Sequence, residues 1–199
     1  VGKTNKKFRL FGRDFTMRRD VRINTQAHDL NGIDVEDSPA LSAWFQERLK
    51  EATPDFDIKA IAITTHGATA VLLDENGALA HPVISYTADK GLEVQDEFYD
   101  VYGTREELHR ITCTADVGFA NLGKMLYLVK TRLPEVWVRC KHALFYDSYF
   151  GYELTGHMGL EHTYLGNHTY LWNFAGKDWS SVGRDLRADQ LFPKNAARS

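Results

Sequence analysis

The chain has 199 residues, of which 43% are hydrophobic and 26% charged, the composition of an ordinary soluble globular protein. No run of about 18 apolar residues occurs, which excludes a membrane-spanning helix. The two cysteines, Cys113 and Cys140, have neither CxxC nor metal-site spacing, which indicates a reducing compartment and a cytoplasmic location.

The net charge of −3 conceals an asymmetry along the chain. Residues 1–22 hold eight Lys and Arg against two Asp, a balance of +6, whereas the remaining residues carry −9. A basic N-terminal segment on an acidic body suits an anionic ligand near that segment. Two solvated strand faces would have the same composition, so charge alone leaves both interpretations open.

Residues 8–23 predict a β-hairpin. Apolar side chains recur at every second position on both sides of the turn Gly12-Arg13-Asp14, and these are Phe8, Leu10, Phe15, Met17, Val21 and Ile23. Asp37-Ser38-Pro39 then predicts the start of a helix, with Asp37 or Ser38 as the N-cap and Pro39 in the first turn.

Residues 58–63 give the strongest strand prediction, because the run is apolar enough to lie in the centre of a sheet. A polar loop at 64–69 and a second strand at 70–73 follow. Asp74-Glu75-Asn76-Gly77 predicts a turn, and the extended stretch 78–86 contains Pro82, which favours a sheet edge.

The rest of the chain is predicted to be mainly helical. Helices are expected at 91–101, 104–111, 120–132 (closed by Pro134), 147–155 (ended by Gly156) and 180–187, with a strand at 143–145 and a frayed tail at 193–199. With no repeats or linkers, one α/β domain is the economical interpretation.

The turn Gly2-Lys3-Thr4-Asn5, followed by Lys7, offers backbone N–H groups, a hydroxyl, an amide and an ammonium group. Such groups can cradle a phosphate. An ordinary hairpin loop can have the same sequence, and no P-loop is present, because its upstream glycine and following helix are missing.

Thr65-His66-Gly67 comes where a buried strand is predicted to end, the place where α/β proteins put ligand contacts. His66 could hydrogen-bond a ligand hydroxyl, although a structural histidine fits equally well. Asp89 follows the next extended run. Its carboxylate could accept hydrogen bonds from sugar hydroxyls, or it could be the N-cap of the helix that follows. The spacings of His157, His162 and His168 do not favour a zinc site.

Several of these segments, in this order, resemble the N-terminal lobe of FGGY-family carbohydrate kinases. Gly2, Thr4 and Lys7 match the phosphate turn of that family, whose leading Asp would fall just before Val1. The matching landmarks further along are Gly32–Pro39, Ala62–Gly67, Val71–Gly77, Pro82–Lys90 (with Tyr86 in place of a Trp), Lys124–Leu128, Leu133–Glu135, Leu154–Gly156 and Trp179. Residues 161–163 and 169–174 are similar to rhamnulose-kinase-like members.

The resemblance implies a ribonuclease-H-like, actin-like ATPase fold, with a central mixed sheet flanked by helices. It implies ATP-dependent, Mg²⁺-assisted phosphorylation of a ketose such as a pentulose or 6-deoxyhexulose. Gly2, Thr4, Asn5 and Lys7 would meet the ATP phosphates. The sugar-binding residues it implies are Thr65, His66, Gly67, Asp89 and Phe119.

By the same resemblance, residues 1–199 form a partial N-terminal, sugar-binding lobe. The general-base Asp would lie beyond Ser199, and the second, nucleotide-binding lobe would be missing. We therefore expect the 199-residue chain to be inactive as a kinase by itself. A sugar is the expected partner, with neither nucleic acid nor a membrane, and a homodimer is left open.

Two further hypotheses belong to other classes. The basic hairpin could make the chain a nucleic-acid-binding or other polyanion-binding module, although Phe8, Phe11 and Phe15 have the period of a core face rather than of a stacking platform. The other hypothesis is a catalytically dead, actin-like regulatory protein. It stays open because the general base that would distinguish it from an active kinase is expected beyond Ser199.

Overall fold

The computed structural model describes residues 2, 4–88, 90–115, 117–118 and 120–194. The strands are β1 (Asn5–Phe11), β2 (Met17–Asn24), β3 (His28–Leu30), β4 (Ile33–Glu36), β5 (Ala70–Leu73), β6 (Val83–Ile84), β7 (His142–Phe145), β8 (Trp172–Asn173) and β9 (Asp178–Trp179). The helices are α1 (Ser38–Ala52), α2 (Lys90–Glu93), α3 (Gln95–Tyr102), α4 (Arg105–Thr112), α5 (Leu122–Arg132), α6 (Pro134–Arg139), α7 (Tyr146–Thr155), α8 (His162–Leu165), α9 (Ser181–Asp185) and α10 (Ala188–Leu191).

Strands β5 and β7 divide the hydrophobic core into two parts. They pair antiparallel, from Ala70 opposite Phe145 to Leu73 opposite His142, and every residue of β5 is buried. Because successive side chains of a strand point to opposite faces, alternate residues of β5 pack into different clusters. Helix α5 lies in the larger cluster, whereas α1 and α7 contribute to the smaller one. Helices thus cover both faces, which confirms the α/β class.

The described strands form four short ladders, with orders β1-β2, β3-β4-β6, β5-β7 and β8-β9. Every ladder pair among the described residues is antiparallel. The resemblance implies one mixed sheet, whereas the described residues form separate two- and three-stranded ladders.

The predicted hairpin and first helix are confirmed. Strands β1 and β2 pair from Asn5 opposite Asn24, with a register shift between Leu10 and Phe11 next to the turn. Asp37 is the N-cap of α1, because its carboxylate accepts from the Ala40 N–H at 3.1 Å. Ser38, the other candidate for that cap, instead makes a buried hydrogen bond to Tyr146.

The prediction of a central strand at residues 58–63 is wrong for the described structure. This segment has no ladder partner among the described residues, and Ile61 is 54% exposed. An apolar run shows that side chains favour burial, but a strand also needs a neighbouring backbone to take up its N–H and C=O groups. That neighbour is a non-local feature which the run itself does not encode.

The helical half of the chain differs from the sequence prediction mainly in where the helices are interrupted. Helix 91–101 is interrupted and becomes α2 and α3. The helix predicted at 180–187 is shortened to α9, and α10 follows it beyond the predicted range. Pro134 follows α5, as predicted, and is also the first residue of α6. Proline is tolerated there, because the N–H group of a first helical residue has no partner within the helix. Gly156 ends α7 in the left-handed conformation, as predicted. In the described part of the chain, no helix has the length and apolar character needed to cross a bilayer.

Candidate functional site

The predicted phosphate turn leads directly into β1. The Gly2 N–H donates to the Asn5 carbonyl at 3.3 Å, and the Thr4 carbonyl accepts from the Thr25 N–H at 3.2 Å. The side chains of Thr4, Asn5 and Lys7 are exposed. Their hydroxyl, amide and ammonium groups are therefore accessible to an anion, whereas the Gly2 N–H is already engaged within the turn.

The alternation of β1 separates two neighbouring lysines. Lys7 lies on the exposed face, whereas the Lys6 side chain is 1% exposed, and its Nζ lies 3.8 Å from a carboxylate oxygen of Glu36, which is 3% exposed. Glu36 ends β4 and pairs with Val83 of β6. The base of the phosphate turn is thus fixed to the β4–α1 junction by a buried ion pair.

The loop at 64–69 is held by its own hydroxyl groups and by a distant tyrosine. Thr65 Oγ1 donates to the His66 carbonyl at 3.1 Å, and Thr69 Oγ1 lies 3.2 Å from His66 Nδ1. The hydroxyl of Tyr164 donates to the His66 carbonyl at 2.5 Å. Three hydroxyl groups therefore fix the conformation of a short loop that has no ladder bonds of its own.

Aromatic rings surround the His66 imidazole. Its centroid lies 4.7 Å from the ring of Tyr86 and 5.2 Å from the ring of Tyr146. Tyr86 is the residue that stands where the resemblance expects a tryptophan, so an aromatic ring is kept beside His66. The Tyr146 hydroxyl lies 3.0 Å from Ser38 Oγ at the start of α1.

These contacts connect the two predicted halves of the site. Glu36, which pairs with Lys6 beside the phosphate turn, is two residues before Ser38 in the chain. Ser38 contacts Tyr146, which in turn packs against His66. A continuous series of buried contacts therefore runs from β1 to the His66 loop through the β4–α1 junction.

Burial controls the ionisation of the groups around this loop. It raises the pKa of Tyr164 to about 12. It also raises the pKa of Tyr146, against the opposing effect of the Ser38 hydrogen bond. Both phenols therefore remain protonated at neutral pH and can donate hydrogen bonds. Burial raises the pKa of the Asp147 carboxyl as well, with the charge of Glu161 acting in the same direction.

The other predicted site residues have different outcomes. Gly67 faces Asn167, and a Cβ added there would lie 3.7 Å from the Asn167 amide nitrogen, an ordinary contact distance. The loop therefore leaves room at position 67. Asp89 and Phe119 lie outside the described residues.

Sequence reasoning missed three residues beside the site: Lys6, Asp147 and Tyr164. The period-two pattern of β1 places Lys6 on the same face as Phe8 and Leu10, a signal that it is directed inwards. Tyr164 contacts His66 across 98 residues, and no local pattern could reveal that contact.

Comparison with known proteins identifies one family. Residues 23–186 match the model for the N-terminal domain of the FGGY family of carbohydrate kinases. A rhamnulokinase from Klebsiella pneumoniae (strain 342) is 28% identical over 171 residues, which are 85% of this chain and 34% of the relative. The chain therefore spans about a third of the length of this curated relative, and the family match begins after the phosphate turn.

Solved structures give the same fold. A carbohydrate kinase from Novosphingobium aromaticivorans has a TM-score of 0.85 at 25% identity, over 97% of this chain and 41% of its own. A ligand-bound xylulose kinase from Lactobacillus acidophilus has a TM-score of 0.80 at 19% identity, over 98% of this chain and 39% of its own. The second likeness is one of fold alone, and together they confirm the actin-like, ribonuclease-H-like architecture.

Proposed function

The chain belongs to the FGGY family of carbohydrate kinases, and on that premise we propose that it forms most of the sugar-binding lobe of an enzyme that phosphorylates a ketose with ATP. The family match covers residues 23–186. The observation that carries the proposal is the His66 loop, whose imidazole packs against two tyrosine rings while a third tyrosine donates a hydrogen bond to its backbone. Such a cluster can bind the apolar and hydroxyl-bearing faces of a sugar.

On the sugar side, the proposal assigns contacts to Thr65, His66, Gly67, Asp89 and Phe119. The described members of this set lie in one loop, whose hydroxyl groups and imidazole can exchange hydrogen bonds with a sugar. A pentulose or a 6-deoxyhexulose is the substrate class we favour. The relative named as a rhamnulokinase supports that choice.

On the nucleotide side, the proposal assigns Gly2, Thr4, Asn5 and Lys7 to the ATP phosphates. The exposed Thr4, Asn5 and Lys7 side chains fit an anionic group, because they offer a hydroxyl, an amide and a cation. Bound ATP would supply the phosphoryl group that is transferred. These residues would hold and orient its phosphates, and the buried Lys6–Glu36 pair would keep the turn in place.

Two parts of the chemistry have no residue in the described chain. The general-base Asp that removes the proton of the attacking hydroxyl is proposed to lie beyond Ser199. Within the described residues, no group of three or more His, Cys, Asp or Glu could hold a metal ion. Mg²⁺ at phosphoryl-transfer sites is usually held by one or two carboxylates together with substrate phosphates, so the ion would join the site with ATP. We propose that the 199-residue chain binds sugar but does not phosphorylate it.

The test uses the 199-residue chain in two assays. Chemical-shift titration with L-rhamnulose and D-xylulose should move resonances of the His66 loop, and His66→Asn should abolish that response. His157→Asn, at an exposed position, is the matched control and should leave the titration unchanged. Coupled assays should detect no sugar-dependent ADP. Ketose titrations that leave the loop unmoved would contradict the sugar site, and ADP production would contradict the predicted inactivity.

The charges of the hairpin give the polyanion-binding alternative less support, although Phe11 and Phe15 are 55% and 86% exposed and do not form the core face that their period predicted. In the basic hairpin, Arg9 and Arg22 both pair with Asp20, Arg18 with Asp14, and Arg19 with Glu51. Much of the positive charge that suggested this alternative is thus already matched by carboxylates. A salt-dependent shift of the hairpin resonances on adding single-stranded DNA would revive it.

A further inference from the structure

A cavity is formed by residues near the end of the described chain. Its volume is about 290 Å³, close to the lower limit of pockets that bind small molecules. Leu160, Leu165, Trp172, Trp179, Asp189, Phe192, Pro193 and Lys194 line it. None of these residues belongs to the sugar or phosphate sites proposed above.

The walls of this cavity are aromatic and held in place. Trp172 and Trp179 are directly opposite each other in the β8–β9 ladder, with ring centroids 5.7 Å apart and planes at 79°. The Trp179 ring lies 6.1 Å from that of Phe192 at a shallow angle of 29°. A Cβ on Gly183 would lie 3.2 Å from Trp179, so the tryptophan is backed closely by α9. Both tryptophans remain partly exposed and keep ring surface accessible.

The polar groups of the cavity include one acceptor without a donor. Asp189 Oδ1 is buried, and no hydrogen-bond donor lies within reach of it among the described residues. A buried carboxylate oxygen without a partner is unfavourable, because its lost hydration is not replaced. Lys194, at the same cavity, is an exposed ammonium donor. An acceptor and a donor are thus placed among aromatic walls.

We propose that this cavity is an accessory binding site for a monosaccharide or a closely related cyclic polyol. The ring of such a ligand would pack against Trp172 and Trp179 through its apolar face. One hydroxyl would donate to the Asp189 carboxylate, and Lys194 would donate to another oxygen of the ligand. A neutral hydroxylated ring fits the cavity better than an ion, because Asp189 and Lys194 carry opposite charges and together leave no net charge to match.

The site is independent of the proposed catalytic function, and the experiment separates the two. The four tryptophans of the chain each have an indole N–H resonance, so NMR titration of the 199-residue chain with L-rhamnose and D-xylose reports each ring. We expect the Trp172 and Trp179 signals to shift and the Trp44 signal to stay. His66→Asn should leave this titration unchanged, whatever it does to ketose binding at the other site.

Two variants test the assigned contacts. Asp189→Asn should weaken binding by about tenfold, the loss expected for one hydrogen bond to a charged acceptor. Asp178→Asn is the matched control: the Asp178 carboxylate pairs with Arg184 on the surface, and asparagine keeps the Oδ1 atom that accepts from the Trp179 N–H, so this variant should bind normally. Trp172→Leu removes an aromatic wall at a partly exposed position and provides a second test should Asp189→Asn not fold.

Three outcomes would overturn the proposal. The first is that neither sugar shifts the Trp172 and Trp179 signals at any concentration reached. The second is an equal loss of affinity in the Asp178 and Asp189 variants. The third is a response to choline chloride without one to either sugar, because that would assign the cavity to organic cations.

Discussion

Lys6 and Glu36 form an ion pair at 3.8 Å in which both side chains are almost completely removed from solvent. The pair joins the first strand to the β4–α1 junction, between the predicted phosphate turn and the contacts that lead to His66. A charged pair in such a position restrains geometry, because moving either group alone would leave the other buried and unpaired. We therefore regard it as the element that fixes the phosphate turn relative to the rest of the domain.

Removing one member of this pair should be strongly destabilising. Lys6→Met leaves the Glu36 carboxylate buried without its cation, and we expect the free energy of unfolding to fall by about 3–5 kcal/mol. The double variant Lys6→Met with Glu36→Leu should recover much of that loss. Urea denaturation provides the measurement. The exposed Arg18–Asp14 pair is the matched control, because water screens both of its side chains and Asp14→Asn should therefore cost much less. Equal losses at the two pairs would contradict the buried restraint.

Tyr146→Phe tests the contact between the helix start and the His66 loop. The substitution removes the hydroxyl that pairs with Ser38 and keeps the ring that packs on His66, so we expect a loss of about 1 kcal/mol in unfolding free energy. Ser38→Ala should give a similar loss, and the double variant little more than either. Tyr149→Phe, in the same helix and equally buried, is the control and should have the smaller effect. Additive losses for Tyr146 and Ser38 would show that the two groups act separately.

Two helical glycines should respond oppositely to alanine. A Cβ on Gly123 in α5 would lie 2.7 Å from the Thr169 carbonyl oxygen, so Gly123→Ala must push this backbone away and should cost about 1–3 kcal/mol. A Cβ added to Gly151 in α7 would meet no described atom within 4 Å outside the backbone of its own helix, so Gly151→Ala should stabilise by about 0.5–1 kcal/mol through helix propensity. Thermal unfolding compares the two, and effects of the same sign would contradict the assigned packing.

The pKa of Asp20 predicts how the hairpin responds to acid. Hydrogen bonds from Arg22, and next from Arg9, lower it from 3.8 to about 2. Because the folded value lies below the unfolded one, the stabilisation is complete above the unfolded pKa and is lost as the pH falls through about 2. Carboxyl NMR titration should find this midpoint. Arg22→Gln should raise it more than Arg9→Gln, and the reverse order would contradict the assignment.

The sequence predicted those elements whose signals are local. Asp37 caps α1 through a hydrogen bond three residues along, and Gly156 ends α7 by adopting a left-handed conformation that its own lack of a Cβ permits. The alternation of β1 and β2 likewise arises from neighbouring residues. The segment 58–63 failed as a strand because its apolar pattern carried no information on a partner strand, and without one most of the segment is exposed.

The order of motifs along the chain was also sufficient to indicate the family, and the match over residues 23–186 confirms it. No motif in the sequence placed Tyr164 against His66, Lys6 against Glu36, or Asp189 in a cavity beside two tryptophans. These relationships join residues from different elements or depend on burial, so they exist only once the helices have packed on both faces of β5 and β7. Local conformation and family membership were therefore determined by the sequence itself, and the composition of each site was decided by tertiary packing.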